Sequence, residues 1–111
     1  MTWKIYFYQT ARGEKTVKEF IKKLQAKTIA KVNQNIDLLM IHGPFLGMPY
    51  SKRLIKEIYE LRIRGKEEVR ILYSFSGKNI YLLHAFKKQT RKAPGKEIKT
   101  AEERRKALDR I

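Results

Sequence analysis

The chain has 111 residues, of which 42% are hydrophobic, which suits one compact domain with a single core. It has no cysteine, which excludes a disulfide scaffold, a thiolate zinc site and a cysteine nucleophile. Its 26 lysines and arginines against 11 acids give a formal charge of +15, more than solubility requires, and this excess predicts a polyanionic partner.

The first half of the chain predicts one strand followed by two helices. Residues 3–8 are β-prone and alternate in polarity, which is typical of a half-buried strand. Apolar residues then recur at helical spacing over 17–24 and again over 29–40, with a break between the two stretches. Gly43-Pro44 ends the second stretch, because neither residue continues a helix cheaply. A helical hairpin is the simplest account of this region.

The second half predicts a loop, three strands and a final helix. Residues 43–53 hold several glycines and prolines and are predicted to form a loop, whereas 55–64, 69–75 and 79–87 are β-prone runs separated by glycine-containing turns. Residues 97–110 have the apolar spacing of an amphipathic helix. The order β-α-α-β-β-β-α predicts an α+β fold, in which a single domain spans the whole chain and the helices cover one face of an antiparallel sheet.

Basic residues crowd the end of the last predicted strand and the segment after it. Side chains of Lys87, Lys88, Arg91 and Lys92 can converge there on a phosphate-rich ligand. Strand aromatics such as Tyr73 accompany these charges, and unpaired bases stack on aromatic rings while their phosphates pair with cations. The alternative for the strand aromatics is an ordinary place in the core. The chain has no helix-turn-helix pattern, so we expect RNA or a ribosome as the partner in preference to duplex DNA.

The residue inventory also restricts the chemistry. The two histidines, His42 and His84, lie far apart, no carboxylates stand at metal-ligand spacing, and no glycine-rich phosphate loop is present. We therefore expect neither a metal nor another cofactor. No apolar run reaches the roughly 18 residues of a membrane-spanning helix and no signal-peptide core is evident, so we expect a cytoplasmic protein without membrane contact. Metal-free RNA cleavage stays open, because the substrate's own 2′-hydroxyl attacks its phosphate.

Three residues could support such a reaction. Arg70 lies inside the apolar run Val69–Tyr73 and needs a ligand or an acidic partner. A planar guanidinium suits a phosphate, and the structural alternative is a salt bridge with Glu60 or another acid. Arg62 has a similar setting in the preceding strand. His84 titrates near neutrality and could exchange a proton, although a histidine at a strand end also serves as a packed, hydrogen-bonded residue.

Short motifs in the predicted strands, with a few later positions, form one combination, and order and spacing agree with a known family over about residues 3–108. The positions are Ile58-Tyr59-Glu60-Leu61-Arg62, Val69-Arg70-Ile71-Leu72-Tyr73, Leu83-His84-Ala85-Phe86-Lys87-Lys88, Thr90, Pro94, Glu97-Ile98 and Ala101. In this order and spacing, the chain resembles the RelE/HigB-like toxins of bacterial type II toxin–antitoxin systems, in particular the phage-derived HigB-like branch. No single motif is specific, whereas their combination in a small basic chain is fairly specific.

The resemblance implies a small curved antiparallel sheet with two N-terminal helices and a C-terminal helix. It implies a toxin that acts as an endoribonuclease, an mRNA interferase that cuts mRNA on the ribosome by 2′-hydroxyl attack without a metal. It also implies a cognate antitoxin protein, acidic or of the helix-turn-helix kind, that blocks the toxin. The resemblance implies that Arg70 occupies the position of the family's phosphate-stabilising arginine and that Arg62 lines the same cleft. It also implies that Lys87 and Lys88 lie where the family places a second cation.

The proton-transfer group stays open. Several family members carry a Tyr or His near the C-terminus for this purpose, and residues 85–111 contain neither. We expect the role to lie near His84 and Lys88, with Glu60 and the ribosome as the next candidates. The missing group also supports an alternative function, a noncatalytic basic RNA- or ribosome-binding module on the same fold. A DNA-binding or purely interacting protein is a third alternative, disfavoured by the absence of a recognition-helix pattern.

Overall fold

The computed structural model describes residues 2–89 and 94–108, and within them it contains three α-helices and five β-strands. The elements in chain order are β1 (Lys4–Phe7), α1 (Thr16–Lys22), α2 (Ala26–His42), a short 3₁₀ turn (Gly43–Phe45), β2 (Ser51–Ile55), β3 (Ile58–Ile63), β4 (Val69–Ser76), β5 (Asn79–Lys87) and α3 (Gly95–Leu108). In this part of the chain, no helix is long and apolar enough to cross a membrane.

The α+β class is confirmed, and the sheet differs from the prediction in two respects. Its strands follow the order β1-β5-β4-β3-β2, and β1 runs parallel to β5, so the sheet is mixed and open rather than curved and wholly antiparallel. No turn joins β1 to β5, so local sequence carries no signal for their direction. Residues 51–53, predicted to be loop, belong to β2, which pairs with β3 in a hairpin. The nearby glycines and prolines mask this strand in the sequence.

Both faces of the sheet are covered, whereas the sequence predicted helices on one face. The face toward α1 and α2, here the α1/α2 face, packs Leu61 and Ile71 against Val32. The opposite face, here the α3 face, packs Leu72 against Ala101 of α3. The first six residues of β4 are all buried, and a run without apolar–polar alternation is typical of a strand covered on both sides.

A β-bulge in β5 sets the position of a candidate residue. Leu72 of β4 pairs with His84, and the next residue, Tyr73, pairs with Leu82, so Leu83 has no partner in the register. The extra residue places both Leu83 and His84 on the α3 face, since the residues on either side of them keep the usual alternation. The bulge therefore directs His84 toward α3.

The turn after α2 depends on a glycine. Gly43 has a φ of 53°, and a Cβ at this position would overlap the indole ring of Trp3. The backbone N–H of Trp3 donates to the carbonyl oxygen of Met40 at 2.8 Å, which fixes β1 against the end of α2. The loop that follows carries Met48 and Tyr50 to the outer edge of β3, where the backbone N–H of Arg62 donates to Tyr50.

Candidate functional site

Two arginines lie side by side on the central strands. Arg62 on β3 and Arg70 on β4 are direct partners in the antiparallel register. Strand alternation places both side chains, together with Glu60, on the α3 face. Like charges directly opposite each other in a sheet are destabilising unless acids compensate them. We call Arg62 and Arg70 the arginine pair.

Two glutamates neutralise the arginine pair. Glu60 is only 5% exposed, and its carboxylate oxygens lie 3.7 Å from Nε of Arg70 and 3.9 Å from Nε of Arg62. Nη2 of Arg70 donates to Oε2 of Glu68 at 3.3 Å, and Nη1 donates to the carbonyl oxygen of Val69 at 3.2 Å. The salt bridge that the sequence offered as the structural alternative for Arg70 is thus present.

The hydrogen bonding of the arginine pair is incomplete. The Nε atoms of both residues are buried and have no hydrogen-bond partner in the described residues. The separations from Glu60 are too long for hydrogen bonds. Burial lowers the pKa of Arg70, an effect that Glu60 opposes and Arg62 reinforces, and the guanidinium nevertheless remains cationic at neutral pH. A buried cation with an unfilled donor is costly, and such groups cluster at functional sites.

The two arginines differ in their exposure to solvent. Arg70 is 0% exposed, whereas the side chain of Arg62 is 14% exposed and donates from Nη1 to Sδ of Met48 at 3.3 Å. Arg62 is therefore the member of the pair that a ligand reaches directly. Arg70 lies behind it and acts through the field of its charge unless the site opens.

The two predicted lysines lie on opposite faces of the sheet. The backbone N–H of Lys88 donates to the carbonyl oxygen of Glu68 at 2.8 Å, so the pairing of β4 with β5 continues to this residue. Alternation from Phe86, which pairs with Arg70, directs Lys88 toward the arginine pair's face. Lys87 points to the α1/α2 face instead, where its Nζ lies 3.0 Å from Oε2 of Glu67.

Glu67 holds Lys87 in a structural cluster. Its Oε1 accepts hydrogen bonds from Oγ1 of Thr28 at 2.6 Å and from the backbone N–H of Gln25 at 3.1 Å, at the start of α2. The hydrogen bond from Thr28, followed by the one from Lys87, lowers the pKa of Glu67. Lys87 is thus placed as an anchor for α2, away from the arginine pair. We call this group of residues the Glu67 anchor.

The structure places His84 under α3, on the same face of the sheet as the arginine pair and two residues along β5 from Phe86, which pairs with Arg70. Its Nε2 lies 2.9 Å from Oε1 of Glu97, and Nη1 of Arg104 lies 3.4 Å from its Nδ1. The ring also stacks on Phe86, with 5.9 Å between centroids. His84 therefore links β5 to α3 through hydrogen bonds, which is the packed role that the sequence left open as the alternative to proton exchange.

The prediction that Tyr73 stacks on an RNA base is wrong, because the residue is buried. Its ring is 1% exposed in the core of the α1/α2 face and stacks on Tyr59 with centroids 5.6 Å apart, so no ring surface is left for a base. Burial raises the pKa of Tyr73 to about 12. The two other predicted RNA-binding residues, Arg91 and Lys92, lie outside the described residues.

Some features of the site carried little or no signal in the sequence. Glu68 could have been found, because it stands two residues before Arg70 and alternation puts the two on one face. The contacts between α2 and the outer edge of β3 could not have been predicted, because they depend on how the helix packs beside the strand. There Nδ2 of Asn35 donates to the carbonyl oxygen of Arg62 at 3.0 Å, and Nζ of Lys31 donates to that of Arg64 at 3.0 Å.

Two comparisons bear on these residues. A family model described as Phage derived protein Gp49-like (DUF891) matches residues 19–106, a span that contains the arginine pair, Glu60 and His84. No curated protein matches the chain. The family match agrees with the resemblance to RelE/HigB-like toxins at the level of the family and does not distinguish the HigB branch. In the described residues, no group of three or more His, Asp or Glu side chains could hold a metal ion.

Proposed function

Because the chain belongs to the Gp49-like family of phage-derived proteins, a family associated with RelE/HigB-like toxins, we propose that it is a toxin of a type II toxin–antitoxin system. Its activity would be endonucleolytic cleavage of mRNA on the ribosome, and its second partner would be a cognate antitoxin. The arginine pair carries this proposal. Arg62 offers a partly exposed guanidinium beside the second one of Arg70, on a chain with a formal charge of +15, and a phosphodiester in RNA is a ligand that such a guanidinium fits.

The proposed reaction follows from this arrangement. The 2′-oxygen of one nucleotide attacks the adjacent phosphorus, a P–O bond forms, and the bond to the 5′-oxygen of the next nucleotide breaks. Arg62, the accessible member of the pair, binds the non-bridging oxygens and stabilises the charge that develops on them. Arg70 holds Glu60 beside Arg62 and adds a second positive charge behind it. No step requires a metal.

Two protons must move in this reaction, one from the attacking hydroxyl and one to the leaving oxygen. Glu60 is the carboxylate nearest the arginine pair and is our candidate for accepting the first proton, since its two oxygens reach toward both Nε atoms. Lys88, on the same face, is the candidate for delivering the second. His84 serves less well, because its Nε2 is engaged with Glu97.

A noncatalytic RNA- or ribosome-binding module is the second candidate. The observation that favours it is the burial of Arg70, which with its ion pairs to Glu60 and Glu68 has the environment of a structural residue. This alternative keeps Arg62 as a phosphate contact and requires no proton transfer. It predicts RNA binding without new RNA ends.

Inducible expression followed by mapping of mRNA 5′ ends separates the two functions. We expect the parent chain to generate new 5′ ends in translated mRNA and to arrest growth. Arg62→Ala should reduce cleavage about a hundredfold, the usual loss when a charge-stabilising donor is removed. Arg12→Ala is the matched control, because it removes one arginine charge from the exposed loop between β1 and α1 and should leave cleavage unchanged.

The controls make each outcome decisive. Thermal melting of each purified variant establishes that it is folded. A parent chain that binds ribosomes and yields no new 5′ ends would contradict the nuclease proposal and favour the noncatalytic module. Equal cleavage by Arg62→Ala and Arg12→Ala would remove the arginine pair from the mechanism.

A further inference from the structure

A cleft beside the arginine pair has no role in the function proposed above. It lies at the outer edge of β3, just before the start of β2 and beside α2, and its volume is about 240 Å³. That is below the roughly 300–1,000 Å³ of pockets for drug-sized ligands, so it suits a single planar ring system. The residues that line it include Lys31, Gln34, Asn35, Tyr50, Arg62 and Arg64.

Chemically, the cleft combines an aromatic face with amides and cations. Tyr50 is 42% exposed and its backbone is held in place by the N–H of Arg62. Gln34 presents an exposed side-chain amide, and Asn35 uses Nδ2 on the strand edge, which leaves its Oδ1 as an acceptor. Amides of this kind pair with base edges, and aromatic rings stack on base faces.

Charge decides between the possible occupants. Three of the lining residues are cationic, and none of the lining residues in the described chain is acidic. A peptide anchored by apolar side chains would leave the three cations unpaired, whereas a nucleotide offers a base for the aromatic ring and the amides and a phosphate for the cations. The cleft also adjoins the candidate site, because Arg62 is one of its lining residues and donates from Nη1 to Met48, the neighbour of the lining residue Pro49.

We propose that this cleft binds one base of single-stranded RNA, the base of a nucleotide next to the phosphate held by Arg62. Tyr50 stacks on that base, and Gln34 and Asn35 contact its edge. The choice of RNA as the ligand rests on the proposed function. The cleft would give the protein a preference for one kind of base at that position.

Binding of uncleavable RNA tests the cleft separately from catalysis. Fluorescently labelled, short 2′-O-methyl RNA homopolymers are titrated against the full chain and its variants. Tyr50→Ala should weaken binding about tenfold, the usual effect of removing a stacking ring, and Tyr50→Phe should retain it. Gln34→Ala should reduce the difference in affinity among the four homopolymers.

Tyr6 supplies a matched control. It is 41% exposed, against 42% for Tyr50, and it lies on β1 at the opposite edge of the sheet. Tyr6→Ala should leave RNA binding unchanged. Equal effects of Tyr50→Ala and Tyr6→Ala would overturn the proposal, as would a Tyr50→Ala variant that binds like the parent.

Photo-crosslinking of the unmodified chain keeps the test decisive if a variant unfolds. RNA carrying 5-iodouridine should crosslink at Tyr50, as located by mass spectrometry, and crosslinks confined to other residues would overturn the proposal. A labelled acidic peptide is a second probe. Loss of peptide binding in Tyr50→Ala, with RNA binding intact, would identify a protein-docking surface and contradict the base cleft.

The same data distinguish the cleft from the nuclease proposal. Base-dependent binding by a chain that cuts no mRNA would support the cleft and contradict only the proposed activity. Cleavage that stays intact in Tyr50→Ala, with unchanged RNA affinity, would contradict only the cleft.

Discussion

The two faces of the sheet each carry a cluster of opposite charges near the start of β4, and the clusters differ in how completely they are bonded. In the Glu67 anchor, both carboxylate oxygens have partners at 2.6–3.1 Å, from Thr28, Gln25 and Lys87. In the arginine pair, the separations from Glu60 are 3.7 and 3.9 Å, and both Nε donors are unfilled. The saturated cluster holds α2 in place, whereas the unsaturated one is the cluster to which we assign RNA binding in the proposed function.

Arg70 and Glu60 are buried, so breaking their ion pair should produce the largest change in stability. Arg70→Met would leave the carboxylate of Glu60 in the core with only the more distant Arg62 for compensation. Breaking a buried ion pair from one side costs about 3–5 kcal/mol, so we expect the free energy of unfolding to fall by that amount in urea titrations. Loss of toxicity in this variant would therefore report lost stability as well as the lost charge behind Arg62.

A double variant checks the origin of that loss. Arg70→Met combined with Glu60→Leu removes both charges, and apolar replacement of a whole buried pair is often neutral, so much of the lost stability should return. If Arg70→Met alone were as stable as the parent, the buried carboxylate of Glu60 would not depend on Arg70 for charge compensation.

Salt should affect RNA binding more than it affects the fold. If about four to six phosphates contact lysines and arginines, affinity for single-stranded RNA falls about a hundredfold between 50 and 200 mM salt, because bound counterions are released. The Glu67 anchor combines two hydrogen bonds with one ion pair to the half-exposed Lys87, and exposed ion pairs contribute little to stability, so screening of this pair should change the melting temperature little over the same range. An affinity that stays constant with salt would show that the +15 charge has another purpose.

The smallest expected effect is a change with pH in the stability that the Glu67 anchor contributes. The pKa of Glu67 is lowered in the folded state, so the anchor contributes stability above the ordinary value of 4.5 and loses it as pH falls through the lowered value. Glu67→Gln should therefore be less stable than the parent at neutral pH, and the difference should shrink below about pH 4.5. A difference that is constant with pH, measured by chemical unfolding, would contradict this account.

Local sequence patterns predicted the elements better than they predicted what covers them. Strand alternation in Val69–Tyr73 puts Arg70 and Tyr73 on opposite faces, as in the structure, yet it gives no sign that helices cover both faces. That information depends on where α3 packs, which is a tertiary property. The bulge at Leu83 likewise turned His84 toward α3, and no residue type in β5 announces the extra position.

The candidate site was predictable to a similar extent. From the sequence, Arg62 and Arg70 are candidate site residues, because an arginine in an apolar strand needs a partner. For Arg70 the sequence left two partners open, a phosphate and an acid such as Glu60, and the structure shows the ion pair with Glu60. It assigned Lys87 and Lys88 together, although neighbouring residues of a strand point to opposite faces. The cleft beside Tyr50 requires α2 to lie next to the edge of β3, and a contact between distant segments leaves no periodic signal.

Cleavage of mRNA on stalled ribosomes by purified protein is the most direct test of the contrast between the two clusters. Arg62→Ala and Glu67→Gln are compared with the parent under single-turnover conditions, at a temperature where melting curves show all three to be folded. We predict about a hundredfold loss of rate for Arg62→Ala, since a charge-stabilising donor is removed, and a rate close to that of the parent for Glu67→Gln. Equal rates for the two variants, or a greater loss in Glu67→Gln, would contradict the assignment of the arginine pair as the functional cluster.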